Sequence, residues 1–206
     1  MKKSLSDSLS KHGRVLLTLA FGIAVFLFWA FRYPFALTYQ EQLQLFLFDG
    51  DYFCGRMAEP GGFARYIAEF LVQFYNGAAI GSLIIAVLYM LVQQLTWRLM
   101  RSEHHYVLSF IPVIMLWYAM GDESVMLTYV VALVMALAVA LGWSCWTKGA
   151  MWLKWVAALV LIPVLYWLIG PLVLLVAALM LPLLVAIPAL CPIPNPQSPI
   201  PNPQSP

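Results

Sequence analysis

A chain of 206 residues that is 63% hydrophobic and only 10% charged has too little polar surface for a soluble globule, where about a quarter of residues are charged. Its net charge of +2, carried by short basic groups beside apolar runs, argues against nucleic acid as a partner and for orientation of spans in a bilayer. Cys54, Cys145 and Cys191 lie far apart with no Cys-x-x-Cys pair, so neither a disulfide framework nor a zinc site is supported.

The first 14 residues are basic and serine-rich (Lys2, Lys3, Lys11, Arg14) and read as a cytoplasmic segment. The apolar run 15–31 that follows is about long enough to cross the hydrocarbon core. It ends in bulky Phe28, Trp29 and Phe31 with no small-x-small site behind it, which predicts a retained anchor rather than a cleaved signal. Further charge-free runs at 76–97, 107–120, 125–146, 155–169 and 171–190 bring the expected number of transmembrane helices to about six. Helix is the expected form, because unpaired backbone in hydrocarbon costs several kcal/mol per group. The expected fold class is thus all-α, integral membrane, with residues 15–190 as one polytopic domain.

Lys and Arg set the orientation. The N-terminus, the break at Arg98 and Arg101, and the break at Lys148 and Lys154 are basic, whereas Gly121-Asp122-Glu123-Ser124 is acidic and Gly170-Pro171 uncharged. This alternation predicts a multi-pass inner-membrane protein with its N-terminus in the cytoplasm and the loop 33–75 outside. Pro112, Pro163, Pro182 and Pro188 fall inside runs and predict kinks. No Lys, Arg, Asp or Glu falls at mid-span, which disfavours an ion-coupled carrier. From residue 191 the chain becomes a proline-rich tail, PIPNPQS twice and a final Pro, expected to be disordered. So abrupt a repeat suggests the front part of a longer ancestral protein.

The external loop holds five of the nine acidic residues and is the expected working surface. Phe63, Tyr66, Ile67, Phe70, Leu71 and Phe74 form an amphipathic stripe, with Arg65, Glu69 and Gln73 on another face. Such a helix is expected to lie on the membrane, although packing on other spans fits the same periodicity. Glu59-Pro60-Gly61-Gly62 marks its entry. Ahead of it, residues 39–48 suit a helix by their Gln and Glu content but also alternate as a strand would. Asp49-Gly50-Asp51 places two carboxylates where they could ligate a hard cation or supply a base. The residues alone favour a plain turn, with Asp51 capping a helix that begins at Tyr52.

The wording YQEQLQLFLFDGDYF followed by EPGGFARYIAEFLVQFY resembles the first external loop of an uncharacterised family of bacterial multi-spanning membrane proteins, over residues 1 to about 190 as their front half. The layout of long acidic loop, span and second acidic turn also resembles polytopic glycosyltransferases that use a polyprenyl-phosphate-linked sugar. That second resemblance implies Asp49 or Asp51 as catalytic base, Asp122 with Glu123 as metal-binding pair, and a divalent cation such as Mg or Mn. The other expectation is a non-enzymatic scaffold or accessory protein whose amphipathic loop docks membrane lipid or a partner.

Overall fold

The computed structural model describes residues 2–101, 105–122, 125–146 and 151–190; the proline-rich repeat and Glu123 lie outside them. Every regular element among the described residues is helical. The first, α1, covers Lys2–Leu27 and runs straight into a π-turn, Phe28–Arg32. Three loop helices follow: α2 (Pro34–Leu43), α3 (Gly50–Met57) and α4 (Gly62–Val72). Then come α5 (Ala78–Met100), α6 (Ile111–Met120) with a 3-10 lead at Tyr106–Phe110, α7 (Leu127–Cys145), α8 (Met151–Ile169) and α9 (Val173–Leu190).

This is an all-α, multi-span membrane architecture. Among the described residues, four stretches are long and apolar enough to cross a bilayer: His12–Arg32, Ala78–Met100, Leu127–Cys145 and Trp152–Leu181, with Tyr106–Met120 a shorter apolar one. The longest of these reverses at Gly170, whose φ of +68° only glycine adopts without strain. Trp155 and Leu181 line one crevice, so α9 runs back along α8.

Lipid tails offer helices no hydrophobic reason to associate, so close packing of small side chains has to hold them. The hub is α7, which packs against α5, α4 and α9 and buries Ala132, Ala136 and Ala140 at helical spacing. At the end away from the loop, polar side chains tie three elements together. Gln93 of α5 donates to Ser109 at 2.8 Å, Thr18 of α1 donates to Gln93 at 3.3 Å, and Thr18 also meets the Tyr106 hydroxyl. The Arg101 guanidinium bonds the Ser144 carbonyl there, joining the ends of α5 and α7.

Two local expectations shift. The helix expected over 39–48 begins at Pro34, whose fixed φ suits a first helical position, and stops at Leu43. Gln44 turns extended (φ −120°, ψ 94°), and burial then alternates, with Gln44 and Phe46 inside and Leu45 and Leu47 outside. Pro112 does not kink a helix; it sits at the start of α6, where its missing N–H costs nothing.

Candidate functional site

The loop helices are built around one buried acid. Glu69 of α4 has a side chain only 3% exposed, a position a carboxylate tolerates only when paired and hydrogen-bonded. Arg56 of α3 reaches it with two nitrogens, Nε to Oε2 at 3.0 Å and Nη2 to Oε1 at 2.9 Å. That two-pronged fit matches the planar guanidinium to the carboxylate. Arg65, one turn earlier on α4, donates Nε to Oε1 at 3.0 Å and reaches exposed Glu59 at 3.3 Å. The Tyr52 hydroxyl lies 2.5 Å from Glu69 Oε2 and 2.9 Å from the Leu45 carbonyl, accepts from Arg56 Nη2 at 3.1 Å, and its ring lies 4.9 Å below the guanidinium. Burial, then the bond to Glu69, holds the Tyr52 phenol above its ordinary range. For Arg56, burial works against the charge, but the Tyr52 bond and the Glu69 charge raise its value.

A ring spine runs beside this cluster. Phe46 meets Phe48, Tyr66 and Phe70 at 4.9, 4.9 and 5.5 Å, and Phe70 meets Phe74 at 5.3 Å. Gln73 fastens the extended segment by donating to the Phe46 carbonyl at 2.8 Å.

The loop is in turn clasped to the bundle. Trp167 of α8 donates its indole N–H to the Met57 carbonyl at 2.7 Å, and its own carbonyl accepts the Gly61 N–H at 2.8 Å. Gly61 and Gly170, both at positive φ, approach so closely that a Cβ on Gly61 would lie 3.3 Å from Gly170 backbone. Gly62 has no room at all: a Cβ there would fall 1.8 Å from the Arg56 carbonyl oxygen. Gln40 of α2 donates to the Val125 carbonyl at 3.1 Å. The face of α4 against α7 and α8 buries Ala64, Ala68 and Val72, while the aromatic stripe is only partly covered. The helix is amphipathic as expected, but its deepest face is small rather than aromatic, because small residues let the helices come close.

Asp49 is the N-cap of α3, extended (φ −134°, ψ 144°) and without a side-chain cap bond, and Asp51 stands in the first turn. The helix therefore begins two residues earlier than the Asp51 cap expected. Both carboxylates are exposed. Asp122 follows α6 and lines a cavity with Phe28, Tyr33 and Trp117, whose wall includes neither Asp49 nor Asp51. Sequence reading missed Glu69, Tyr52 and Trp167 as organising residues; Glu69 and Arg65 four apart were the one visible signal.

A model of a family of unknown function, DUF6057, matches residues 10–187, most of the chain. The chain belongs to the DUF6057 family. No curated protein and no solved structure matches it. The resemblance to an uncharacterised multi-spanning family therefore holds for this DUF6057 member. The glycosyltransferase expectation does not: the described residues contain no strand or sheet, which is inconsistent with a glycosyltransferase-type sugar-binding fold.

Proposed function

We propose that this protein is a non-enzymatic membrane scaffold whose helical loop is a rigid platform seated in the lipid headgroup layer. One observation carries the reading: the base of the loop is locked by the Glu69 cluster and the Trp167 clasp, yet its rim leaves Leu45 80% and Phe48 81% exposed. A contiguous apolar rim is costly in water and marks an interaction surface. Phe31 and Phe35, at the end of the first span, are exposed as well, so lipid is a natural neighbour, and Phe and Leu are side chains that enter the headgroup and acyl boundary.

In this reading all six apolar helices cross the bilayer. The shortest, Tyr106–Met120, spans about 25 Å when its 3-10 turns are counted, against about 30 Å of hydrocarbon, a mismatch that local thinning absorbs. Arg14, Arg98, Arg101 and Lys154 belong to the end opposite the loop, which supports a cytoplasmic N-terminus in the inner membrane.

The test is a Phe48→Cys variant free of native cysteines, labelled with an environment-sensitive dye and placed in nanodiscs. The expected result is a blue-shifted emission quenched by headgroup spin-labelled lipid and shielded from aqueous iodide. Iodide quenching equal to that of free dye, with none from the lipid, overturns the lipid platform.

A further inference from the structure

An opening near the loop end lies between α6 and the π-turn that follows α1. It is a cavity of about 830 Å³ lined by Phe28, Tyr33, Trp117 and Tyr118, with Asp122 on its wall. The π-turn shapes it. Tyr33 N–H bonds the Phe28 carbonyl at 3.2 Å, five residues back, which widens the helix. In an α-helix, residues five apart point about 140° away from each other. Here the wider turn stacks the Phe28 and Tyr33 rings, 5.8 Å apart and 12° from parallel. Trp117 stands edge-on to Phe28 at 5.2 Å, fixing the third ring. π-turns of this kind recur at functional sites.

Aromatic side chains around a cavity with a carboxylate on its wall suit one ligand chemistry: an ammonium, attracted by ring quadrupoles and a negative charge. We propose that this cavity binds the amine headgroup of a zwitterionic phospholipid. Three observations favour a lipid over a free amine. Tyr118 on the wall is 89% exposed, so the cavity opens sideways. Below it α6 exposes Ile111, Ile114 and Met115 in line with Tyr118, at spacings of three, four and seven residues, a continuous apolar track for an acyl chain. Arg32 is exposed, next in the chain to Tyr33 and not on the cavity wall, where its long side chain can offer a counter-charge to the phosphate of a zwitterion.

The full-length protein, delipidated in detergent, is titrated in native mass spectrometry with phosphatidylethanolamine, phosphatidylcholine and phosphatidylglycerol of identical chains. The two amine lipids are expected to bind about tenfold more tightly than phosphatidylglycerol. Asp122→Asn should cut that preference to about twofold or less, and Tyr118→Ala should weaken amine-lipid binding about threefold. Tyr118 is so exposed that its loss leaves the fold intact, so this second variant decides the matter if D122N does not fold. Equal binding of all three lipids by the native protein, or an amine preference that survives both substitutions, overturns the proposal. Displacement of the bound lipid by millimolar glycerophosphocholine, which has the headgroup without chains, assigns the cavity to a soluble amine and overturns it as well.

Discussion

Replacing Glu69 by Ala should release the loop from the bundle while leaving the bundle folded. The carboxylate accepts from Tyr52, Arg56 and Arg65 in a side chain 3% exposed. Removing one partner of a fully buried ion pair costs about 3–5 kcal/mol. Here the arginine side chains are 24% and 40% exposed, so water recovers part of that. Each donor also keeps a second partner: Tyr52 the Leu45 carbonyl, Arg56 the Tyr52 hydroxyl, Arg65 the Glu59 carboxylate. A net loss of about 2–3 kcal/mol results, equivalent to about 30- to 150-fold more frequent opening. Hydrogen–deuterium exchange of the protein in nanodiscs reads this directly, as accelerated exchange across α3 and α4 with α7 unchanged. Acceleration below about threefold would refute the view that this cluster locks the loop.

Gly62→Ala should be among the most damaging loop substitutions, above about 4 kcal/mol, because its Cβ would overlap the Arg56 carbonyl. Gly55→Ala, inside α3 with nothing within 4 Å of the added carbon, should instead stabilise by up to about 1 kcal/mol; paired thermal melts in detergent compare the two. Gln93→Leu, which removes a residue bonded to both Ser109 and Thr18, should cost about 0.5–2 kcal/mol in a denaturant titration in micelles, since membrane hydrogen bonds are individually modest. Asp49→Asn with Asp51→Asn should leave both stability and lipid quenching at position 48 unchanged within about 0.5 kcal/mol, as expected of exposed residues away from packed features. The Tyr52 contribution is fully present below its unfolded pKa of about 10 and is lost as pH rises through its raised folded value. Protection of α3 relative to the intrinsic base-catalysed amide rate should therefore hold up to about pH 10 and decline above it.

The apolar helices were legible because each run had to satisfy its own backbone in lipid. The run expected at 76–97 became Ala78–Met100, and that at 125–146 became Leu127–Cys145. What the sequence concealed was contact across elements. Arg65, Glu69 and Gln73 read only as a face apart from the apolar stripe, yet Glu69 is buried because Arg56, thirteen residues earlier on another helix, meets it. No periodicity within one helix encodes that meeting. The buried face of α4 was misjudged for a related reason: hydrophobicity ranks Phe63 and Phe70 above Ala64 and Ala68, whereas close approach of helices ranks by size. The π-turn left no signature beyond aromatic crowding near Phe28 and Tyr33.

The distribution of polarity within the bundle supports a scaffold. The polar contacts Thr18–Gln93–Ser109 belong to one end and the Glu69 cluster to the other, while between them Val25, Ile85, Val113, Val130 and Ala136 are fully buried. These close-packed side chains fill the middle of the bundle, and packing at interior density resists deformation. Rigidity at the centre passes to the loop through the α4–α7 seam and the Trp167 clasp, so the exposed rim at Leu45 and Phe48 is held at a fixed position relative to the spans. A docking surface gains from such preorganisation, since the entropy of ordering the loop has already been spent in folding rather than at each encounter.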